Sequence, residues 1–221
     1  MRSSFKCWAG ALLVSLVAGC GGSLFKTAIP ASQTYQLTPL AADAPAVAPF
    51  DALLLVGLPV VAPGLDSERI AVLHPDRRLD YFAGSQWGAP VPEVVQNIVV
   101  ASLQNTGRMR GVQRDLANFR PDFVLQLDVR AFQAEYAGGG APRVRVDIIA
   151  TIGRLNDRSS MLSIPAVALE QADANTLTAV TAAFDKALQS AVRTLLANVI
   201  DYVGRTKGPT AAPLKPSGTS E

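Results

Sequence analysis

The 221-residue sequence has two cysteines and one histidine. Both cysteines, Cys7 and Cys20, lie in the first twenty residues, so the remainder of the chain cannot form an intrachain disulfide. A single histidine, His74, cannot supply the usual Cys/His ligand set of a zinc site. It is also the one histidine that a Ser–His–acid triad could use, and its position before Pro75 reads as a solvated turn residue. Ser3, Ser23 and Ser85 lie in no G-x-S-x-G elbow, and no Walker motif is present. Past the first twenty residues, no apolar stretch approaches the ~20 residues needed to span a bilayer. The small net charge of +2 offers no basic footprint of the kind a nucleic-acid binder needs. No catalytic set, metal site, cofactor or nucleic-acid partner is implied.

What is present begins at the N-terminus. Arg2 and Lys6 make a short positive segment, and residues 8–18 are apolar or small. Leu16-Val17-Ala18-Gly19-Cys20 then places small residues directly before a cysteine. This layout is that of an export signal ending in a lipobox. Residues 1–19 are expected to be removed after the Cys20 thiol receives a diacylglycerol. A short membrane helix is the alternative, but the run is about half the ~20 residues required. A structural or redox cysteine behind an ordinary export signal is the other. Cleavage removes Arg2 and Lys6 from the 20 basic residues, leaving 18 against 18 acidic ones. One acyl chain gives marginal attachment, whereas two or more anchor stably at ~0.8 kcal/mol per buried methylene. A bacterial lipoprotein carries two or three. Gly21, rather than Asp, after Cys20 favours the periplasmic face of the outer membrane over that of the inner membrane.

Four parts follow: signal 1–19, lipidated tether 20–32, folded α/β domain 33–203, and a disordered Pro/Ser/Thr-rich tail 204–221. Within the domain, Tyr35-Gln36-Leu37 predicts a short strand. Leu53-Leu54-Leu55-Val56 predicts a strand buried on both faces. Residues 70–73 and 79–82 predict a hairpin around His74-Pro75-Asp76. A helix begins at Pro92, carries Val94, Val95, Ile98, Ala101 and Ser102 on one face with Val91, and stops at Gly107. Residues 109–113 predict a strand. Residues 123–129 alternate apolar and polar, and the phase shifts at Phe132, Ala134 and Tyr136, which implies a bulge or bend. Residues 138–140 are three glycines in a hairpin turn rather than a phosphate cradle, since no helix follows. Residues 144–152 predict the partner strand. A polar turn at 156–160 then leads to a strand at 161–169, placed at a sheet edge by Pro165. The last helix starts at Asp173 or Asn175 and is stopped by Gly204. The fold class is α+β: a two-layer sandwich, mainly antiparallel sheet, with two amphipathic helices packed on one face.

Candidate functional residues are few. Asp66, Glu68, Asp76 and Asp80 are loosely spaced and read as solvated loop charges. Tyr81, Phe82 and Trp87 cluster before the first helix. Phe82 reads as core, while Tyr81 and Trp87 are either core plugs or exposed aromatic anchors that bind a partner.

Four segments, in order, resemble the ABC-type transport auxiliary lipoproteins (the paraquat-inducible protein C group). They are Tyr35-Gln36-Leu37; Leu65-Asp66-Ser67-Glu68-Arg69-Ile70; Leu79-Asp80-Tyr81-Phe82 with Trp87-Gly88-Ala89-Pro90-Val91-Pro92 and Val95-Gln96; and Pro121-Asp122-Phe123-Val124-Leu125-Gln126-Leu127. The resemblance covers residues ~33–203, by the element boundaries above. It implies an accessory role, without catalysis, beside an ABC ATPase, a permease and a mammalian-cell-entry (MCE) domain protein. Such systems move phospholipid or other hydrophobic molecules between inner and outer membranes. A homo-oligomer is compatible with that role, although no residue marks the contact. Two rivals stand beside it. One is an assembly lipoprotein for outer-membrane protein or lipopolysaccharide machinery. The other is a lipid-modifying enzyme, which requires Asp66, Glu68 or Asp80 to meet a serine in an apolar pocket.

Replacing Cys20 by Ala is expected to abolish lipid labelling and shift the protein from the membrane to the soluble periplasmic fraction. Mass spectrometry of the wild-type protein should find residue 20 acylated at a new N-terminus. A free thiol there, or an uncut leader, would overturn the lipoprotein reading.

Overall fold

The structure, a computed structural model, describes residues 32–42, 48–115, 120–155 and 157–207. The lipobox, Cys20 and the segment after residue 207 lie outside the described residues. The described elements run β1 (Gln33–Tyr35), β2 (Phe50–Val56), β3 (Val60–Val61), β4 (Arg69–Leu73), β5 (Leu79–Trp87), α1 (Val91–Asn105), β6 (Met109–Gln113), β7 (Phe123–Glu135), β8 (Arg143–Arg154), β9 (Asp157–Gln171) and α2 (Leu177–Lys207).

The strands form one mixed sheet in the order β1-β5-β4-β7-β2-β6, with β8 on β7 and β9 on β8. Two long antiparallel ladders, β7–β8 and β8–β9, carry most of the pairing. The alternation of Phe123, Leu125, Leu127 and Val129 puts these side chains on one face, all buried. The register of β7 slips between Val129 and Ala131, and Ala131 and Phe132 are then buried in succession. That is the bulge the phase shift predicts. Parallel pairs, β1–β5, β2–β6, β2–β7, β3–β7 and β4–β7, were not signalled by local pattern.

Both helices lie against the face that holds these buried residues. α2 packs on β8 and β9, and α1 packs on β6 and β2. Trp87, Phe132 and Phe184 join the layers, with ring centroids 5.8 Å apart for Trp87–Phe132 and 5.1 Å for each of the other two pairs. Offset and edge-on aromatic contacts of this kind add to the burial energy itself.

Four expectations change in detail. β2 is not buried on both faces: Ala52, Leu54 and Val56 are buried, while Leu53 and Leu55 are half-buried, because the helices cover one side of the sheet. β9 already begins at Asp157, opposite Arg154, so its first residues extend the ladder instead of forming a polar turn. α2 starts after neither Asp173 nor Asn175. Thr176 caps it: its Oγ1 accepts from the Ala179 N–H at 3.3 Å, while Asn175 Oδ1 accepts from the Tyr136 hydroxyl at 2.6 Å. Finally, α2 runs through Gly204 to Lys207. A Cβ on Gly204 would come within 3.0 Å of the Phe50 ring, so this glycine permits close helix–sheet approach and does not end the helix. Gly107 does end α1, with φ 60° just past the C-cap Thr106.

Phe184→Ala is expected to cost about 3–5 kcal/mol, the range for deleting a buried aromatic ring. Leu58, 61% exposed, should tolerate Ala within about 0.5 kcal/mol. Denaturant unfolding of both variants checks the contrast.

Candidate functional site

The four segments that carry the family resemblance meet as structural joints. Tyr35 pairs in parallel with Trp87, and the Gly88 N–H donates to the Tyr35 carbonyl at 3.0 Å. The chain after Tyr35 is then fastened to both helices. Leu40 N–H donates to Ser102 Oγ at 3.0 Å, Asn105 Nδ2 donates to the Leu40 carbonyl at 2.7 Å, and Thr38 N–H donates to Asp185 Oδ1 at 2.7 Å. The segment at residues 65–70 anchors through buried Leu65 and Ile70. Its Ser67 carbonyl accepts from the Val91 N–H at 3.1 Å, which satisfies a donor that the first turn of α1 leaves orphaned. Gln96, buried on α1, donates from Nε2 to the Val56 carbonyl at 3.0 Å and closes the end of β2.

Asp122 is the densest joint. Its Oδ2 accepts from Leu53 N–H at 2.9 Å, and its own N–H donates to the Leu53 carbonyl at 2.9 Å. Lys207 Nζ donates to Asp122 Oδ1 at 2.8 Å and to the Asp51 carbonyl at 2.9 Å. One carboxylate thus ties β2, the start of β7 and the last turn of α2. Partial burial pushes the Asp122 carboxyl up, but the Lys207 ammonium and the Leu53 N–H outweigh it and hold the group below the usual carboxylate range.

Trp87 requires a correction. It is 1% exposed and wedged between Phe132 and Phe184, so it plugs the core and presents nothing to a partner. Among the described residues its indole N–H has no acceptor, a cost set against the burial of a large ring. Tyr81 is half-buried and spoken for on two sides. Its hydroxyl donates to the Gly64 carbonyl at 2.8 Å, and the Arg69 guanidinium lies 3.6 Å from its ring centroid. Phe82 packs against the core, as read.

The carboxylates do not converge on a serine. Asp66 and Glu68 are exposed. Asp80 accepts from the Tyr81 N–H at 2.8 Å, which holds its carboxyl below the usual range, and sits 3.7 Å from His74 Nε2. Buried Ser85 donates its hydroxyl to the Phe82 carbonyl at 3.1 Å. Among the described residues, no group of three His, Cys, Asp or Glu is placed to hold a metal, and no helix is long and apolar enough to cross a membrane.

The surface with most to offer a partner is the sheet face to which the alternation of β7 assigns Gln126, Asp128 and Arg130, facing water or a partner; the exposed apolar side chains of β9 on it are what the sequence reading missed. Among the described residues no element covers the sheet face away from the helices, and at its β9 side Met161, Val167 and Leu169 are 61%, 55% and 46% exposed. Val124, Gln126, Thr151, Gly153, Leu155 and Met161 line a shallow cavity of about 290 Å³ on this face. Val167 lies opposite Asp147, which pairs with Arg145 at 2.8 Å. A polar setting around exposed apolar side chains is the makeup of an interaction surface. The signal was available in the sequence: alternate residues of β9 are apolar on both faces, and only one face has helices to cover it. A second cavity, about 240 Å³, lies among Tyr35, Leu37, Gly88, Val94 and Ile98 where the family segments meet.

A family model described as ABC-type transport auxiliary lipoprotein component matches residues 35–195. The structure is similar to that of a Xanthomonas campestris protein of the family DUF330, at 26% identity and a TM-score of 0.72, covering 79% of this chain and 98% of that one. It is also similar in fold to a crystal structure of an uncharacterized protein, at 17% identity and a TM-score of 0.57, covering 78% of this chain and 99% of that one. No curated protein matches.

The depressed Asp122 carboxyl gives a pH signature. Its contribution is complete above the unfolded-state value near 4 and is lost as pH falls through the lower folded-state value. Asp122→Asn should therefore be less stable than wild type at neutral pH, and the gap should narrow as pH drops below about 4. Urea midpoints measured from pH 7 to pH 3 check the convergence.

Proposed function

The chain belongs to the ABC-type transport auxiliary lipoprotein family, and from that premise we propose that it docks an MCE-domain partner without performing catalysis. In this reading Cys20 carries the lipid anchor at the periplasmic face of the outer membrane. The thirteen residues from Cys20 to Gln33 reach at most about 45 Å when extended. An ATPase and permease of the same system supply the work, and the MCE partner conducts phospholipid or another hydrophobic cargo.

The observation that carries the proposal is the uncovered sheet face with Met161, Val167 and Leu169 exposed along β9. A soluble domain gains nothing by leaving three large apolar side chains in water on one strand, whereas a docking strand does. The two cavities above, about 240 and 290 Å³, lie below the range of ordinary small-molecule pockets. The dispersed acids Asp66, Glu68 and Asp80 support a role without acid–base chemistry.

A photo-crosslinking residue in place of Val167 is expected to capture the MCE partner in intact cells. The same probe in place of Arg193, exposed on α2, should not. Isolation of the native-abundance protein with no MCE protein bound, and no adduct from Val167, would overturn the proposal.

A further inference from the structure

The end of the sheet remote from Asp122 holds a cavity of about 340 Å³, lined in part by His74, Arg77, Glu135, Tyr136 and Arg143. Its floor is the turn between β4 and β5. There the His74 N–H donates to the Arg78 carbonyl at 3.0 Å, and the Arg77 N–H donates to the His74 carbonyl at 2.9 Å. Arg77 closes this turn with φ 69°, and among the described residues it is the one non-glycine at positive φ. That place in a short hairpin ordinarily falls to glycine or asparagine, because an L side chain there crowds its own backbone. The chain uses glycine at positive φ elsewhere, at Gly64, Gly84, Gly107, Gly138 and Gly140. An arginine kept at this one position, with its side chain on the cavity wall, bears a conformational cost that the turn alone does not require.

A second cation lines the same cavity. Arg143 opens β8, with Glu135 as its cross-strand neighbour. Among the described residues, neither Arg77 nor Arg143 has an ion pair or side-chain hydrogen bond. Arg110, Arg130, Arg145 and Arg205 each lie against an aspartate. The carboxylate of the cavity, Glu135, accepts from Gln133 Nε2 at 3.2 Å. His74 and Tyr136 stack at 6.3 Å with an interplanar angle of 17°, and the Tyr136 hydroxyl is fixed on Asn175. The His74–Tyr136 part of the lining is therefore held in place, while the two guanidinium groups make no ion pair or side-chain hydrogen bond among the described residues.

We propose that this cavity binds a phosphate oxyanion, with Arg77 and Arg143 as its charge-assisted donors and the His74–Tyr136 stack as its wall. A guanidinium presents paired N–H donors in a planar fork that matches two phosphate oxygens. The oxyanion is either free phosphate or the headgroup of an anionic phospholipid. The site adjoins the Leu169 end of the docking face, since Gln171 lines the cavity and Leu169 pairs with Arg145. Phosphate binding through Arg77 and Arg143 and partner capture through Val167 are read by separate measurements, so failure of one is distinguishable from failure of the other.

The test uses the full chain carrying Cys20→Ala, so that acylation does not dominate membrane association. Inorganic phosphate is titrated against the Arg side-chain N–H resonances at constant ionic strength. Flotation is measured with vesicles of phosphatidylglycerol in phosphatidylcholine and of phosphatidylcholine alone. Saturable phosphate binding is expected, weakened at least tenfold by Arg77→Gly and by Arg143→Gln and unchanged by Arg193→Gln. Arg77→Gly relieves the backbone strain, so its melting temperature should equal or exceed that of the parent, which separates lost binding from lost folding. Recruitment by phosphatidylglycerol vesicles, lost in the same two variants, identifies the headgroup as the source. Phosphate binding without recruitment identifies the free anion. The proposal is overturned if neither probe binds, or if Arg77→Gly and Arg143→Gln bind as the parent does.

Discussion

A thirteen-residue strand in the middle of a sheet must have its backbone N–H and C=O groups paired on both edges, because no water reaches them there. β7 meets this requirement unevenly. One edge is matched along its whole length by β8. The other edge is matched in succession by β2 at Leu54 to Val56, by β3 at Val60 and Val61, and by β4 at Ala71 to Leu73. Three pieces of chain, lying in sequence order, thus share one ladder in parallel. The rest of the domain follows from that arrangement. β5 returns on β4, β1 joins β5, and α1 crosses over to bring β6 onto the free side of β2.

Joining short strands to a long one leaves strand ends, and each end needs a polar group to close it. Asp122 and Lys207 close the start of β7, Gln96 closes β2, and the Ser67 carbonyl takes the first helical N–H of α1. Asp122, Gln96 and Ser67 fall in the family segments, and Lys207 lies beyond them. The segments thus record how this sheet is stitched together, and their presence says little about chemistry at a reacting centre.

The sequence made legible what depends on local periodicity. The bulge before Phe132 and the amphipathic faces of both helices rest on patterns of two or 3.6 residues, while the hairpin at His74 and the edge position of Pro165 rest on local turn and proline chemistry. What stayed hidden depends on partners far apart in the chain. The parallel pairing of β2 with β6 and β7 leaves no trace in a continuous apolar run, which fits a parallel strand and a doubly buried one alike. Trp87 was ambiguous for the same reason: an aromatic residue before a helix is core or anchor according to whether Phe132 and Phe184 stand beside it. Gly204 misled because a glycine late in a helix signals a cap locally, whereas here the Phe50 ring, 154 positions earlier in the chain, sets the requirement. Arg77 showed nothing at all in sequence, since its interest lies in a backbone angle.

The free edge of the sheet poses a conflict between docking and aggregation, and β9 resolves it chemically. A fifteen-residue edge strand with Met161, Val167 and Leu169 exposed is a template for unwanted strand addition. Pro165 lies at the centre of that strand, opposite Ile149 in an unbroken ladder, so its donorless nitrogen faces outward and interrupts any continuous strand added there. Ser163 and the Arg145–Asp147 pair separate the apolar side chains on the face itself. In the docking reading proposed above, such a face would hold a partner by side-chain contact while resisting extension by backbone pairing. If Cys20 tethers the domain to a membrane as proposed, a membrane-bound partner would be met at high effective concentration, and modest contact would then suffice.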